Sequence, residues 1–159
     1  MATPALQHWL VKSEPEVYSI DDLARDGQTG WEGVRNYQAR NHLRAMSVGD
    51  PVLFYHANAE PPGVAGVARV CRAAYPDPTQ FQPGHEYQDA KSPSAEPRWV
   101  QVDLAFVAKL PSLVALQALR DDPKLEGLPV AQRGTRLSML RVSREHFQHV
   151  LKLPGRPRR

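Results

Sequence analysis

The chain has 159 residues and a mass of 17.8 kDa, a length that suits one domain and excludes a multidomain assembly. Hydrophobic residues make up 42% and charged residues 23%, so an ordinary core is expected without staples, and a lone cysteine, Cys71, excludes an internal disulfide framework. The formal charge is +3, but four cations (Lys152, Arg156, Arg158 and Arg159) crowd the last eight residues, so the body is near neutral and the basicity belongs largely to a tail.

No run approaches the roughly 18 apolar residues of a membrane span, and MATPALQHWLVKSEP lacks the layout of a secretory signal. A soluble protein of a reducing cytoplasm, or of a nucleus, is expected. Arg supplies 15 of the 20 cations, a bias that suits bidentate phosphate and base contacts.

In chain order, residues 8–12 (HWLVK) read as a strand. Ser19 caps a helix from Ile20, with Asp21 and Asp22 in its first turn and Gly27 as its stop. QTGWEGVRN, residues 28–36, mixes glycines with a Trp and predicts an ordered loop. Ala39, Leu43 and Met46 then fall at helical spacing, so a helix runs from Asn36 or Tyr37 to Ser47 with Arg40 and Arg44 together on another face. PVLFYH (51–56) and VAGVARVCRAAY (64–75) form a predicted hairpin, in which Cys71 is expected to be a small buried hydrophobe.

Residues 76–97 carry five prolines and little periodicity, a loop long enough to suggest function. WVQVDLAFVAKL alternates with period two and predicts a strand. Ser112 is expected to cap a helix reaching Arg120, Asp122 and Pro123 to begin one more turn, RLSMLRV (136–142) to be the last strand, and Ser143 to cap a closing helix to about Leu151. Helices and strands without regular alternation give the α+β class.

For chemistry, His146 with His149, and His85 with Glu86, lack the further ligands a zinc site needs, so no metal is expected. Ser13 beside Glu14 lacks a nucleophile elbow, and neither a phosphate-cradling loop nor a dinucleotide fingerprint is present, so no cofactor and no catalytic residues are assigned. What stands out is Trp31, Glu32, Arg35, Asn36, Tyr37, Arg40 and Asn41 beside Lys12, Ser13, Tyr55 and His56. An extruded nucleobase needs an aromatic wall, edge donors and acceptors, and cations for flanking phosphates. Trp31 and Tyr37 also fit a core, and Arg40 and Arg44 a solvated face, so residue types alone leave both readings open.

HWLVKSEP (8–15), WEGVRNYQARNHLRAM (31–46), VGDPVLFYH (48–56), GVAGVARV (63–70), PRWVQVDLAFV (97–107) and RLSMLRV (136–142) resemble the EVE domain family. The resemblance implies a PUA-like curved pseudo-barrel of about five strands, related to the YTH and ASCH domains. It divides the chain into an extension (1–7), one domain (8–151) and a basic tail (152–159). It also implies a non-enzymatic reader of a modified base in DNA or RNA, methylated cytosine foremost, with no membrane or metal partner. By that resemblance Lys12, Ser13, Trp31, Gly33, Val34, Asn36, Tyr55 and His56 line the base pocket. Arg35, Arg40, Asn41, Arg136 and Ser138 contact phosphate or backbone, with a structural carboxylate as the other partner open to Arg35, and Trp99 packs. Two departures, Ala57 where relatives have Ser, and Leu140 with Arg141 in place of Gln and Pro, bear on ligand preference. Two other readings stay open: an enzyme using His56 or Glu32 as acid or base, and a protein-interaction module using the 76–97 loop.

Overall fold

The structure is a computed structural model that describes residues 6–134 and 136–155, so most of the 1–7 extension and the arginines of the tail lie outside the described residues. Strand β1, His8–Ser13, pairs in parallel with β3, Pro51–His56, and between them the chain forms α1 (Ile20–Asp26), a short strand β2 (Gln28–Gly30) and α2 (Tyr37–Ala45). Local chemistry sets both helix starts. Ser19 and Asp22 form a reciprocal capping box at α1, and the Asn36 side chain accepts from the Ala39 N–H at α2. Strand β4, Gly63–Pro76, returns antiparallel to β3 as the expected hairpin, and β5, Val100–Ala115, follows antiparallel to β4. Helix α3 (Leu116–Asp121), strand β6 (Met139–Val142) and helix α4 (Arg144–Lys152) complete the order.

The six strands form one mixed sheet in the order β2-β5-β4-β3-β1-β6. Register shifts along the two long strands, β4 and β5, bend it. Side-chain parity then builds a core on each face. Trp9, Val11, Val52 and Phe54 join α1 and α2 on one face, while Leu10, Leu53, Tyr55 and Val67 join Leu119, Phe147 and Val150 on the other. No helix among the described residues is long and apolar enough to cross a membrane.

Five expectations are corrected. The sheet has six strands rather than about five, because Gln28–Gly30, expected as loop, pairs with Ala105 to Asp103 at the sheet edge; three residues are too few to display a period. The helix expected from Ser112 begins at Leu116, because the ladder to β4 resumes at Val114 and Ala115 beyond a bulge at 110–113, and Leu116 donates to the Pro62 carbonyl. The last strand starts at Met139 rather than at Arg136. Cys71 is half-buried rather than buried, since β4 has already run past the first core at that point; burial and then Asp103 push its thiol up, away from the reactive thiolate. The basic tail was expected from Lys152, which instead closes α4.

Candidate functional site

A cleft of about 630 Å³ opens on the α1/α2 face, where the C-terminal end of β1, the 29–36 segment and the 76–97 loop meet. Its size lies within the range of about 300 to 1,000 Å³ of small-ligand sites. Of the residues the sequence pointed to, Lys12, Ser13, Trp31, Glu32, Gly33, Val34, Arg35, Asn36 and Ser138 line it.

Trp31 forms an upright wall. Its backbone N–H donates to Val102 at 2.8 Å, extending β2, and its ring meets Phe54 and Tyr18 edge-on at 5.7 and 6.4 Å between centroids. The indole is thereby fixed by the core yet only partly buried. Beside it, the Ser13 hydroxyl donates to the Tyr18 carbonyl at 2.6 Å, so only its lone pairs remain for a ligand. Asn36 spends its side-chain oxygen on the α2 cap, and its amide N–H₂ has no partner among the described residues. The cleft therefore offers a flat apolar surface, an acceptor and a donor.

Its opposite wall comes from the 76–97 loop, held by Arg35. All five N–H groups of that guanidinium are used: two on the Tyr87 carbonyl, and one each on Val34, Thr79 and Asp77. Asp77 is fully buried and also accepts from the Gly33 N–H at 2.8 Å and from both the N–H and hydroxyl of Thr79. Burial alone would raise its pKa, but the bonds from Thr79, Gly33 and Arg35 outweigh it and hold the carboxyl below its usual 3.8. Gly33 sits at φ +82°, and a Cβ there would lie 2.5 Å from the Tyr87 ring, so the motif glycine lets that ring close against the backbone. Burial, then Glu86 and Glu32, push the Tyr87 phenol up, which keeps its proton in place.

The lining charges are mixed. Glu14, Glu32 and Glu86 face Lys12 and Arg35, and Arg35 has no N–H left to give. Burial lowers the Lys12 pKa. This cleft favours a neutral, donor-bearing guest over a phosphate.

Two pocket assignments are not met. Tyr55 is 4% exposed and belongs to the core on the opposite face, because in β3 the residues pointing toward Trp31 are those in phase with Phe54. His56 has the right phase but accepts the Ile20 N–H on Nε2 at 3.1 Å, at the start of α1, and does not line the cleft. Burial lowers its pKa, which suits that neutral acceptor role. Among the phosphate candidates, Arg35 takes the structural-carboxylate alternative. Arg40 lies 4.7 Å over Tyr37 and donates to the Arg98 carbonyl, and Asn41 accepts from Arg40; neither lines the cleft, nor does exposed Arg136. Trp99 packs as expected, stacked on Tyr37 and donating to Asp89 at 2.8 Å. The sequence reading missed Tyr18, Thr29 and Tyr87; the aperiodic 76–97 loop was a signal for Tyr87 alone. Among the described residues no group of three or more ligand-type side chains is arranged to hold a metal.

Comparison with known proteins gives concordant matches. The sequence model of the EVE domain matches residues 7–153. Human thymocyte nuclear protein 1 is 40% identical over 164 residues, spanning 92% of this chain and 73% of that protein. A crystal structure from Pseudomonas putida superposes with a TM-score of 0.89 at 48% identity, over 92% of this chain and 99% of that one. The human THYN1 protein, crystallised in complex with DNA containing 5-methylcytosine, gives a TM-score of 0.89 at 37% identity, over 96% and 99% of the two chains. The α+β, PUA-like architecture expected from the resemblance is therefore the fold of this chain.

Proposed function

We propose, from the premise that the chain belongs to the EVE domain family, that it is a non-enzymatic nucleic-acid-binding module that takes a modified base into the cleft beside Trp31. The observation that carries this reading is the anchored, partly open indole in a cleft of about 630 Å³ whose lining is not predominantly cationic. A base stacks on Trp31, its edge meets Ser13, Asn36 and the lining carboxylates, and its phosphates stay outside. Methylated cytosine in DNA or RNA is the first ligand to test: its exocyclic amine suits Glu32 or Glu86, and the human relative was crystallised with such DNA. Function in a cytoplasm or nucleus belongs to the same reading. Of the two acid–base candidates of the enzymatic alternative, His56 is engaged at α1 outside the cleft, while Glu32 lines it.

The test is titration of matched modified and unmodified oligonucleotides at fixed salt against wild type and Trp31→Ala. Loss of one base stack, worth about 1 to 3 kcal/mol, predicts affinity for the modified strand falling by roughly 5- to 150-fold. Equal binding of modified and unmodified strands by the wild type refutes the reading, as does turnover of either strand.

A further inference from the structure

A second groove, of about 470 Å³, lies at the other end of the β1/β6 strand pair, lined by residues 6–8, the turn at Gly127 and Pro129, and the 141–146 segment. Its charge is one-sided. Arg141 and Arg144 are its ionic lining residues, with His8 and His146 beside them and no carboxylate in the lining. Both arginines are exposed, and neither has a carboxylate within ion-pair distance among the described residues. The Arg141 guanidinium stands over the Trp9 ring, 5.2 Å from its centroid, a cation–π contact that holds it at the sheet edge. After burial, Arg144 depresses His8, with Asp50 and Glu145 opposing it by lesser effects, and Arg141 depresses His42, so the field of the two arginines reaches the groove and α2. The remaining walls are mixed, with apolar Leu6, Pro129 and Val142 beside Gln7, Gly127 and Ser143.

Position gives this groove its meaning. In the β1/β6 ladder His8 pairs with Val142 and Val11 with Met139, while the Lys12 N–H donates to Ser138. Lys12 and Ser138 line the cleft beside Trp31; His8 and Val142 line the groove. Four residues of extended chain separate them, about 13 Å at 3.3 Å per residue, a span of a few nucleotides along one strand. The acid-rimmed cleft suits a base and repels a phosphate, whereas the groove has the charge the cleft lacks. We infer that the groove at Arg141 and Arg144 is a phosphate-binding site that grips the sugar-phosphate backbone of the same nucleic-acid strand whose base enters the cleft. The apolar side chains face the sugars and the two guanidiniums face the phosphates. This rests on the base-reading proposal for the identity of the strand, and the experiment separates the two.

The probes are fluorescein-labelled single strands and duplexes, with and without one 5-methylcytosine, titrated over a series of KCl concentrations. Removing two phosphate contacts by Arg141→Gln with Arg144→Gln lowers the slope of log affinity against log salt by about 1.4 for single strands or about 1.8 for duplexes, weakens modified and unmodified strands alike, and keeps their ratio. Arg144→Glu guards against a folding artefact, because an acid in the first turn of α4 suits the helix dipole; it should melt no lower than wild type yet bind every probe more weakly. Trp31→Ala should do the opposite, erasing the ratio and keeping the slope. A reduced slope in the arginine variants with no preference for modification refutes base reading and leaves the phosphate site standing. An unchanged slope with the preference intact overturns the phosphate site, whatever acidic protein the groove then proves to hold.

Discussion

Asp77→Asn tests whether the cleft wall is held by one buried carboxylate. The change keeps size and shape, but Asp77 accepts from Gly33 and Arg35 on Oδ2 and from the Thr79 N–H and hydroxyl on Oδ1. An amide nitrogen at either position faces two donors, so two bonds are lost and the Arg35 charge loses its partner. Breaking a fully buried pair in this way costs about 3 to 5 kcal/mol. The Arg35 side chain is 22% exposed and keeps its bonds to Tyr87 and Val34, so the lower end, about 3 kcal/mol, is expected. At about 2 to 4 °C per kcal/mol for a chain of this length, the melting temperature falls by roughly 6 to 12 °C, read by thermal circular dichroism at pH 7. The sign with pH follows from the depressed carboxyl. Its stabilisation is fully present above the ordinary 3.8 and is lost as pH falls through the lower folded value, so wild type and variant should converge in acid. An asparagine variant that melts within about 2 °C of wild type, a shift of about 1 kcal/mol or less, would refute the clamp.

Gly33→Ala should destabilise by about 1 to 2 kcal/mol from its left-handed backbone alone and displace Tyr87, so oligonucleotide affinity falls along with the melting temperature. Tyr55→Phe should leave affinity for every oligonucleotide unchanged, which titration checks directly, because its ring packs on the opposite face of the sheet. His8, His42 and His56 are all lowered from 6.5, with burial the largest cause in each. Between the lowered folded values and 6.5 the unfolded chain binds more protons, so stability declines as pH falls through that window, and a denaturant midpoint lower at pH 5.5 than at pH 7.5 is the expected reading.

The parts of this fold legible in the sequence are those decided locally. Ser19, Asn36 and Ser143 announce their helices because each cap bond is made within three residues of chain. The 51–56 and 64–75 hairpin is legible because two apolar, strand-like runs flank one short turn in the sequence. β2 and the far end of β5 are not, since their pairing partners lie far away in sequence and the bulge at 110–113 breaks the period. The cleft divides the same way. Trp31, Gly33, Val34 and Asn36 are contiguous and arrive together, whereas Tyr87 comes from more than fifty residues away and reaches the cleft through Arg35 and Asp77. Tyr55 illustrates a different failure. It neighbours Phe54 in sequence, but a strand sends successive side chains to opposite faces, so the residue next to the one that supports Trp31 packs into the other core.

The order of contacts around Arg35 bears on what the R-N pair of the motif contributes. Arg40 lies over Tyr37, Tyr37 stacks on Trp99, and the Arg35 guanidinium stands 5.4 Å from Trp99 and 5.6 Å from Tyr87. Cations and rings form one continuous series from α2, across the start of β5, to the 76–97 loop, and each cation in it also hydrogen-bonds a backbone carbonyl. Such a series spends its arginines on shape, so replacing Arg35 by Lys keeps the charge but loses the five-donor fork, and the loop wall should loosen much as it does when Asp77 is changed. If Arg35 instead served a phosphate, Lys would substitute with a small loss in affinity and none in melting temperature. The two outcomes are opposite in which measurement moves, and the bonding of every N–H on Arg35 selects the first.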